Sequence, residues 1–576
     1  LSCLQRAGVT CLGTCAIVPE SMWIVYGALF LSLVGFSDVF ATAPSRSDVV
    51  VIGAGQAGMS AAYRLHSLGL SVIVLEGTDH VGGRTRNFDV RTGVFDVDTD
   101  DAVEIGGTWL SPHHTAALEL CRELSLDVFN ASFVDAPGSS SPPPWTADEA
   151  EDWPWWFWGS DYPKAQRSHL HKSVFHSAHG SFQFQSPTEL LGGLSQTLLQ
   201  QLKRAEARIN RAAAEISDQC WNVTSVSASW RKYDRSSTLG YLGNLLKSPE
   251  AEQVLRNCIH GHNAQEPEEV SFLYNLLSMK GCNSGGPDSQ YRVRGGTQAI
   301  PLRIAALLKT NVKLGAVVQS VTSTAAGILV RTQDGREFTA AAAIVTGPPP
   351  ALLGINFYPP LSGAKSQLLQ RFPMGTSLKF AAVYKEGPWW RDLGLQGDIM
   401  ATVLPANLSL PDTGSPLFVQ CMDHSPFSQR FGVIVCMMEG RQNLHFLTLP
   451  SQKQQELMLN FLHLSFNDSR AVSLQPYFVS HNWADQPLAR GAYTGFFLPG
   501  VLSVPEYWDA YRAMEKSPGV FLAGADYHIG VGNGYIEGAI RSGKLAADII
   551  ASRLGSRLST PTEGGMSAIP AATLVV

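Results

Sequence analysis

Three glycines, at residues 53, 55 and 58, form a G-x-G-x-x-G pattern that can hold the pyrophosphate of a dinucleotide. Gly53 permits a tight turn, Gly55 lets the backbone approach the phosphates, and Gly58 lets the following helix pack closely against a strand. The phosphates would then lie at the positive end of that helix. Such a pattern binds a nucleotide when it joins a strand to a helix, so the flanking residues decide what it means.

The segments on both sides of the glycines meet this requirement. Residues 49–52 form an unbroken apolar, β-branched run, as expected of a parallel strand covered on both faces. Residues 59–68 predict a helix, and residues 71–75 predict a second buried strand. Glu76 follows that strand, 18 residues after Gly58, where a carboxylate can accept hydrogen bonds from a ribose. The segment therefore predicts a dinucleotide site, but it does not distinguish NAD from FAD.

Two further glycine pairs follow, in Val81-Gly82-Gly83-Arg84-Thr85 and in Gly106-Gly107-Thr108-Trp109. The first pair would bring a second backbone segment to the pyrophosphate, and Arg84 would add a fixed cation. Together with the G-x-G-x-x-G segment, these residues resemble the flavin-containing amine oxidase family, which includes monoamine, polyamine and L-amino acid oxidases. The resemblance implies that the cofactor is FAD.

Two later segments resemble the same family and imply roles for three residues. Residues 373–390 are similar to the segment whose lysine holds a water at flavin N5, and the matching residue is Lys379. Burying that ammonium on a strand would be costly without a partner or a function. Residues 481–499 are similar to the monoamine oxidase signature. In it, Trp483 matches the tryptophan beside the isoalloxazine, and Tyr493 matches one wall of an aromatic cage.

A third segment, residues 519–550, completes the resemblance. Its Gly524 and Asp526 would reach the cofactor, with Asp526 in the place where the family usually has Glu and facing the ribityl or pyrophosphate region. Tyr535 matches the second wall of the cage. In animal monoamine oxidases a cysteine bonded covalently to FAD precedes the first cage tyrosine. This chain has Ala492 there, so the resemblance implies non-covalent FAD.

The predicted site combines these segments with Val318, whose V-x-x-V context resembles the family position where a strand backbone meets the adenine. No metal ligand is predicted. The predicted catalytic residues are Lys379, Tyr493 and Tyr535. The predicted cofactor-binding residues are Gly53, Ala54, Gly55, Gln56, Ala57, Gly58, Glu76, Gly83, Arg84, Gly106, Gly107, Thr108, Trp109, Val318, Trp483, Gly524, Asp526, Tyr535 and Ile536.

The resemblance implies the oxidative deamination of a small-molecule amine. The amine becomes an imine, water hydrolyses the imine to aldehyde and ammonia, and O2 is reduced to hydrogen peroxide. An L-amino acid oxidase, which needs a cationic clamp for a carboxylate, and a polyamine oxidase, favoured by acids along a tunnel, are the alternatives within the family. A catalytically silent flavin-binding homologue is the alternative outside it, but the presence of Lys379, Tyr493 and Tyr535 argues against it.

The composition describes a mildly acidic globular chain. It has 576 residues, 45% hydrophobic content and a net charge of -6, and it has no basic run that would suggest a nucleic-acid partner. The length predicts more than one domain. We expect an α/β fold, with a Rossmann-type FAD-binding domain interleaved with an α+β substrate domain built on a mixed sheet with helices. The sequence leaves a homodimer possible.

The expected domain boundaries follow from the motifs and from changes in composition. The FAD-binding domain is assigned to residues 47–115, 285–346 and 481–553, the substrate domain to 116–284 and 347–480, an N-terminal extension to 1–46 and a flexible tail to 554–576. Sequence patterns further predict helices at 115–124, 188–216, 271–279 and up to 308, strands at 312–318 and 520–523, and a hairpin within 327–346.

The N-terminal segment and the cysteines bear on the compartment. Residues 23–36 are mostly apolar over a length that suits the core of a signal peptide, which predicts entry into the secretory pathway. An uncleaved membrane anchor is the alternative. Four glycosylation sequons, at Asn130, Asn222, Asn407 and Asn467, agree with secretion. Six cysteines follow the extension; their even number permits disulfides without showing any, and their spacing does not fit zinc.

Two compositional features invite other interpretations. Residues 136–163 combine prolines with a tryptophan cluster, which we interpret as an excursion of the substrate domain packed against its own domain, rather than as a lid or a membrane-contacting patch. His169, His171, His176 and His179 are closely spaced, but they lack Cys or carboxylates at ligand spacing. The sequence therefore does not favour a metal site.

Overall fold

A six-stranded, mostly parallel sheet carries the glycine motif at the carboxyl end of one of its strands. The computed structural model describes residues 44–130, 172–216, 220–221, 223, 225–280, 282 and 290–558. In this sheet only Val520–Leu522 and Glu515–Ser517 pair in the antiparallel direction. In spatial order the strands are Val312–Lys313, Val72–Leu75, Val49–Ile52, Ala342–Val345, Val520–Leu522 and Glu515–Ser517.

The two faces of this sheet are covered by different layers. Val49, Val51 and Val74 pack with the helices that lie over one face. Val50 and Ile52 pack with a second sheet on the other face. Because successive side chains of a strand point to opposite faces, a strand that is apolar at every position needs cover on both. The prediction of a doubly covered parallel strand before the glycines is confirmed.

The second sheet has five strands and contains the predicted hairpin. Gly327–Thr332 pairs with Glu337–Ala340, whereas Ala342–Val345 leaves the hairpin for the parallel sheet. The strand predicted at 312–318 is confirmed only at its ends: Val312–Lys313 belongs to the parallel sheet and Val318 begins a strand of this one, because Gly315, with φ of +61°, turns the chain between the two sheets. In spatial order the strands are Ser45–Arg46, Glu337–Ala340, Gly327–Thr332, Val318–Thr324 and Asn356–Tyr358.

A seven-stranded mixed sheet positions Lys379. Its Ser377–Tyr384 strand has antiparallel neighbours on both sides, so the backbone around Lys379 is fixed by two hydrogen-bonded ladders. A disulfide joins Cys421 and Cys436 on adjacent strands of this sheet. In spatial order the strands are Tyr477–Asn482, Ser377–Tyr384, Gly432–Glu439, Gln420–Asp423, Leu395–Ala401, Lys172–Ser177 and Gly180–Phe184.

Serine side chains begin many of the helices. The helix predicted at 188–216 is divided in two because Ser195 accepts a hydrogen bond from the Leu198 amide and so caps a second helix. The helices predicted at 115–124 and 271–279 and the helix up to 308 are confirmed. The α-helices are Gln56–Ser67, Thr115–Glu123, Pro187–Gly192, Gln196–Ala214, Ala228–Asp234, Thr238–Leu242, Pro249–Asn263, Phe272–Met279, Ala299–Leu308, Pro349–Leu352, Gly363–Leu369, Gly440–Leu447, Ser451–Phe466, Arg470–Ser473, Pro505–Arg512 and Ile536–Leu558.

Short elements connect these layers. Two small antiparallel sheets pair Asn87–Asp89 with Ala102–Glu104 and Val128–Asn130 with Tyr291–Val293. A second disulfide joins Cys220 and Cys282, and Cys121 and Cys258 are buried thiols outside the two disulfides. The 3-10 helices are Gly243–Leu245, Lys309–Asn311, Trp389–Leu393, Ala406–Leu408 and Ala525–Tyr527.

The division of the chain into domains stays a prediction, but its segments contribute mainly to different sheets, apart from Asn356–Tyr358, a substrate segment that pairs with Val318–Thr324. The strands of the parallel sheet all come from segments assigned to the FAD-binding domain, and the seven-stranded sheet comes largely from the substrate segments. Ser45–Arg46, assigned to the N-terminal extension, is instead an edge strand, and Ile536–Leu558 continues past the predicted start of the tail. The tryptophan cluster within 136–163 and most of the extension lie outside the described residues. Among the helices of the described ranges, none is both long and apolar enough to cross a membrane.

Candidate active site

A cavity of about 430 Å³ extends from the glycine motif to Lys379 and the two predicted cage tyrosines. It brings together residues from distant parts of the chain, including most of the predicted site. The predicted residues on its wall are Gly53, Gly55, Gln56, Ala57, Glu76, Gly83, Arg84, Gly106, Gly107, Thr108, Trp109, Val318, Lys379, Trp483, Tyr493, Gly524, Tyr535 and Ile536. Ala54, Gly58 and Asp526 are not on it.

The glycine turn has no room for added side chains, and its backbone faces the cavity. A Cβ on Gly58 would lie 1.9 Å from the Gly53 carbonyl oxygen, so close strand-helix packing requires glycine there. Gly55 forms a parallel bridge with Gly82, and a Cβ on Gly83 would lie 3.1 Å from the Gly55 Cα. Gly55 is also the N-cap of the Gln56–Ser67 helix and contributes no capping side chain. The turn thus presents backbone and a helix N-terminus to the cavity, which fits a pyrophosphate.

Glu76 lies on the cavity wall and holds the turn in place. Its carboxylate accepts hydrogen bonds from the Ala54 amide at 2.7 Å and from the Thr78 amide and hydroxyl, both at 2.9 Å. Ala54 therefore acts through its backbone, behind the wall. A carboxylate has about four acceptor positions, so Glu76 can still accept a hydrogen bond from a ribose.

Arg84 links the Gly82-Gly83 pair to the far end of the cavity. Its guanidinium donates to Asp526 at 2.6 Å and to the Tyr493 carbonyl oxygen at 2.8 Å. Asp526 also accepts hydrogen bonds from the Thr494 hydroxyl at 2.8 Å and the Gly495 amide at 2.7 Å. Burial would raise the pKa of Asp526, but the charge and hydrogen bonds of Arg84, together with the hydrogen bonds from Gly495 and Thr494, lower that pKa. Asp526 therefore lies behind the wall and orients Arg84, and its contact with the ribityl or pyrophosphate region of the cofactor stays a prediction.

Lys379 is buried, with only 5% of its surface exposed. Its ammonium donates to the Gly106 carbonyl oxygen at 2.8 Å and to the Thr108 hydroxyl at 2.7 Å, with the Glu104 carbonyl oxygen further away at 3.4 Å. It also lies 4.8 Å from the centre of the Trp109 ring. Burial lowers the pKa of Lys379 to about 7, against the attraction of Glu104. This lysine can therefore change its protonation state near neutral pH.

Charged groups that the sequence did not reveal surround Lys379. Glu104 is fully buried and accepts a hydrogen bond from Arg292 at 2.7 Å, while His424 lies 3.1 Å from the same oxygen. Burial would raise the pKa of Glu104, but Arg292 and His424 outweigh it and lower the pKa to about 2. The Glu104 carboxylate thus stays ionised close to the lysine.

Aromatic residues form the walls of the cavity near Lys379. Trp483 is held by a hydrogen bond from its indole nitrogen to the Ile105 carbonyl oxygen at 3.1 Å. A Cβ on Gly106 would lie 2.9 Å from that indole and 2.4 Å from the Arg84 carbonyl oxygen, so glycine is needed for the close packing. Tyr493 and Tyr535 are both half-buried and both line the cavity.

Glu439 is the second important group that the sequence did not reveal. The Tyr493 hydroxyl donates a 2.5 Å hydrogen bond to its carboxylate. Burial and the neighbouring Glu439 raise the pKa of Tyr493 well above its usual range, so the phenol stays protonated. Glu439 ends the strand Gly432–Glu439 opposite Ser377, a pairing that only the register of the folded sheet brings about.

Two helices of the substrate segments complete the wall beyond the tyrosines. Pro249–Asn263 contributes Gly261 and His262, and Phe272–Met279 contributes Tyr274 and Ser278. Among the described residues of the wall, Glu76 is the one carboxylate, and it belongs to the glycine end.

The described residues contain no cluster able to hold a metal ion, and His176 instead contacts Ser465 at 2.8 Å. His169 and His171 lie outside them.

Comparison with known proteins agrees with this geometry. The family profile of flavin containing amine oxidoreductases matches residues 56–551. Amine oxidase [flavin-containing] B of Mus musculus is 25% identical over an alignment of 528 residues that covers 89% of this chain and 87% of that protein. In structure, wild-type putrescine oxidase bound to putrescine matches with a TM-score of 0.69 at 24% identity, over 88% of this chain and 99% of the other.

Cyclohexylamine oxidase from Brevibacterium oxydans IH-35A matches with a TM-score of 0.70 at 22% identity, over 88% of this chain and 99% of the other. These structural matches establish the shared α/β fold. The profile covers most of the chain, and the cavity has a glycine turn, a helix N-terminus and the Glu76 carboxylate, which together can hold a dinucleotide. The chain therefore belongs to the flavin-containing amine oxidase family and is a flavin-dependent amine oxidase whose cofactor is FAD.

Proposed function

We propose that the protein oxidises a monoamine to an imine, which water hydrolyses to an aldehyde and ammonia, with O2 reduced to hydrogen peroxide. The observation that carries this proposal is the character of the cavity between Tyr493 and the helices Pro249–Asn263 and Phe272–Met279. Its described wall there has no carboxylate that could bind a second ammonium group. The described wall has two arginines, Arg84 and Arg490. Arg84 is engaged by Asp526 and the Tyr493 carbonyl oxygen, so it is not available to bind a substrate carboxylate, and Arg490 donates to the Pro487 carbonyl oxygen at 3.1 Å.

The cage tyrosines select and orient the amine. Two phenol rings make an electron-rich slot with little water, which disfavours the charged ammonium form of the substrate and favours the neutral amine. Bound FAD supplies the redox chemistry, taking two electrons from the amine and passing them to O2. Because the neutral amine has a free lone pair on nitrogen, its oxidation needs no strong base from the protein.

Lys379 has a separate role in this proposal. Its ammonium lies beside Trp109 and the Gly106-Gly107 segment. The resemblance of residues 373–390 matches Lys379 to the lysine that holds a water near the flavin. With a pKa near 7, it can donate a proton and be protonated again at neutral pH. We propose that this proton assists the reduction of O2.

We propose that FAD is held without a covalent bond. Ala492, which precedes Tyr493, is buried and has a methyl side chain that cannot form a thioether. The glycine turn, Glu76, Arg84 and the Trp483 indole would hold the cofactor instead. Protein precipitated with acid should release its yellow colour to the supernatant, and colour retained in the pellet would contradict this proposal.

The substrate class is tested by comparing amines on purified holoenzyme. Peroxide release is measured with benzylamine, putrescine, spermine and L-phenylalanine side by side. The proposal expects the highest kcat/KM with benzylamine. Peroxide formed mainly with putrescine or spermine would indicate a polyamine oxidase, and peroxide formed only with L-phenylalanine would indicate an amino acid oxidase. A flavin-containing protein that reacts with none of them would be the silent homologue.

We also propose that the chain enters the secretory pathway. The apolar segment at residues 23–36 motivates the proposal, and the Cys220–Cys282 and Cys421–Cys436 disulfides support it because such bonds persist in oxidising compartments. Expression in a eukaryotic secretion system, followed by N-terminal sequencing and glycosidase treatment of the medium, tests it. Retention of an unprocessed, unglycosylated protein inside the cells would contradict it.

A further inference from the structure

Tyr493 is held at two points that lie on opposite ends of the residue. Its carbonyl oxygen accepts a hydrogen bond from Arg84 at 2.8 Å, and its hydroxyl donates to Glu439 at 2.5 Å. Arg84 is in turn fixed by the buried Asp526. The main chain and the ring tip of this tyrosine are therefore secured by separate charged groups.

The site around Glu439 leaves little freedom to its carboxylate. Only 2% of the residue is exposed, and it ends a central strand directly opposite Ser377, two residues before Lys379. A buried carboxylate without a hydrogen-bond donor would be costly, so the Tyr493 hydroxyl stabilises Glu439 as well as being oriented by it. A hydrogen bond to an ionised acceptor is about twice as strong as one between neutral groups.

We propose that Glu439 is a positioning residue that fixes the ring plane and the hydroxyl proton of Tyr493 in the amine cage. This inference rests on the proposed function, because the cage is where the amine would bind. With its proton directed to Glu439, the phenol hydroxyl cannot donate to the amine nitrogen and so leaves the lone pair free. The partial negative charge drawn onto the phenol also makes the ring face a better neighbour for the electron-deficient carbon that develops during oxidation.

Two neighbouring groups, His260 and Lys379, also bear on the protonation of Glu439. His260 and Lys379 both interact with it favourably, and His260 lies 3.2 Å from Glu266, which pairs with Arg256 at 2.7 Å. Burial nevertheless raises the pKa of Glu439, with the hydrogen bond from Tyr493 acting in the opposite direction. Removing that hydrogen bond would therefore make the carboxylate harder to keep ionised.

The test is a double-mutant cycle on the holoenzyme, with Glu439→Gln, Tyr493→Phe and the combined variant. Glutamine keeps the size of the side chain but weakens the hydrogen bond by removing its charge. Glu439→Gln should lower kcat with benzylamine about tenfold, with a smaller change in KM. In the Tyr493→Phe background the same substitution should change kcat by less than about twofold, because the hydroxyl on which it acts is gone. The exposed Glu386, in the loop after the Lys379 strand, supplies the matched control Glu386→Gln.

A second readout does not depend on turnover. Since Tyr493 stands beside the flavin site, Glu439→Gln should shift the visible flavin spectrum of the resting holoenzyme, and this shift should disappear in the Tyr493→Phe background. If no amine is oxidised but the spectral dependence is present, the proposed function fails and the positioning role stands. If Glu439→Gln behaves like Glu386→Gln in both rate and spectrum, or acts equally in both backgrounds, the positioning role is overturned.

Loss of folding in Glu439→Gln is addressed by replacing both partners. In the Glu439→Leu, Tyr493→Phe double variant no polar group of the pair is left unsatisfied, so this variant should fold and retain the flavin. Its kcat should match that of Tyr493→Phe within about twofold. A double variant that folds with a much lower kcat than Tyr493→Phe would show that Glu439 acts independently of the tyrosine and would overturn the inference.

Discussion

The two ends of the cavity differ in what fixes their geometry, which is close backbone packing at one end and buried charged groups at the other. At the glycine end, the turn presents backbone to the cavity and its geometry depends on space, because Gly58 has no room for a Cβ beside the Gly53 carbonyl. At the other end, buried carboxylates lie beside the proposed reactive groups: Glu104 is near Lys379, and Glu439 accepts a hydrogen bond from Tyr493. The comparison indicates that added volume should destroy the first region, whereas a changed charge should alter the reactivity of the second without emptying the cofactor site.

The largest effect is expected from a single added methyl group at the glycine end. Gly58→Ala would place a Cβ 1.9 Å from the Gly53 carbonyl oxygen, a backbone atom that cannot move without opening the turn. We expect the purified variant to contain almost no FAD, measured as flavin absorbance per mole of protein. We also expect it to be destabilised by about 1–3 kcal/mol.

The control for this change is Gly192→Ala, at a helical glycine where a Cβ would meet nothing within 4 Å. It should keep the full flavin content. Normal flavin content in Gly58→Ala would show that the turn tolerates added volume, and the distinction between the two ends would then lose its basis.

The next largest effect is expected at the charged end. Lys379→Met should retain FAD but lower the rate of flavin reoxidation by O2 about a hundredfold, at the lower end of what a positioned proton donor contributes. Stopped-flow mixing of the reduced enzyme with O2 measures this rate. The exposed Lys385 gives the control Lys385→Met, for which no change is expected. Reoxidation at the wild-type rate in Lys379→Met would remove Lys379 from the mechanism.

Lys379 also predicts a pH dependence of stability. Burial lowers its pKa from 10.5 to about 7 in the folded protein, so between these pH values the unfolded chain binds more protons at this residue. The free energy of unfolding should therefore rise with pH across this window, and more steeply in the wild type than in Lys379→Met. Urea unfolding at about pH 7 and about pH 9.5 measures the difference. Equal slopes in the two proteins would contradict the lowered pKa.

A smaller effect is expected where the two ends are joined. Arg84→Lys keeps the positive charge but cannot reach Asp526 and the Tyr493 carbonyl oxygen in the same geometry. The Kd for FAD should rise about tenfold, measured by titrating the apoprotein with FAD. Arg91→Lys, at an arginine whose side chain is 57% exposed, should leave the Kd unchanged. A similar Kd for FAD in both variants would mean that the contacts of Arg84 with Asp526 and Tyr493 do not support the cofactor site.

The same contrast explains which parts of the molecule could be predicted from the sequence. The glycine end is encoded locally, since the strand, the turn, the helix and Glu76 are contiguous and each has its own residue pattern. The structure confirms these elements and places 18 of the predicted residues on one cavity. The resemblance of later segments to a known family added Lys379, Tyr493 and Tyr535, although neither pattern nor periodicity would have selected them.

The site residues that could not be predicted depend on pairings between distant segments of the chain. Glu439 meets Tyr493 only because its strand is in register with the Lys379 strand, and Glu104 is buried by Arg292 from a segment far away in the sequence. Asp526 pairs with Arg84 and accepts hydrogen bonds from the Thr494 hydroxyl and the Gly495 amide, which lie in other segments of the chain. No local pattern distinguishes these acids from ordinary surface carboxylates.

Anaerobic mixing of the holoenzyme with benzylamine tests the central claim most directly, because it follows oxidation of the amine without requiring O2. The account predicts that the visible flavin absorbance is bleached by the amine and returns when O2 is admitted, with bleaching slowed in Glu439→Gln and unchanged in Glu386→Gln. A flavin spectrum that stays unbleached with benzylamine, putrescine, spermine and L-phenylalanine alike would contradict it.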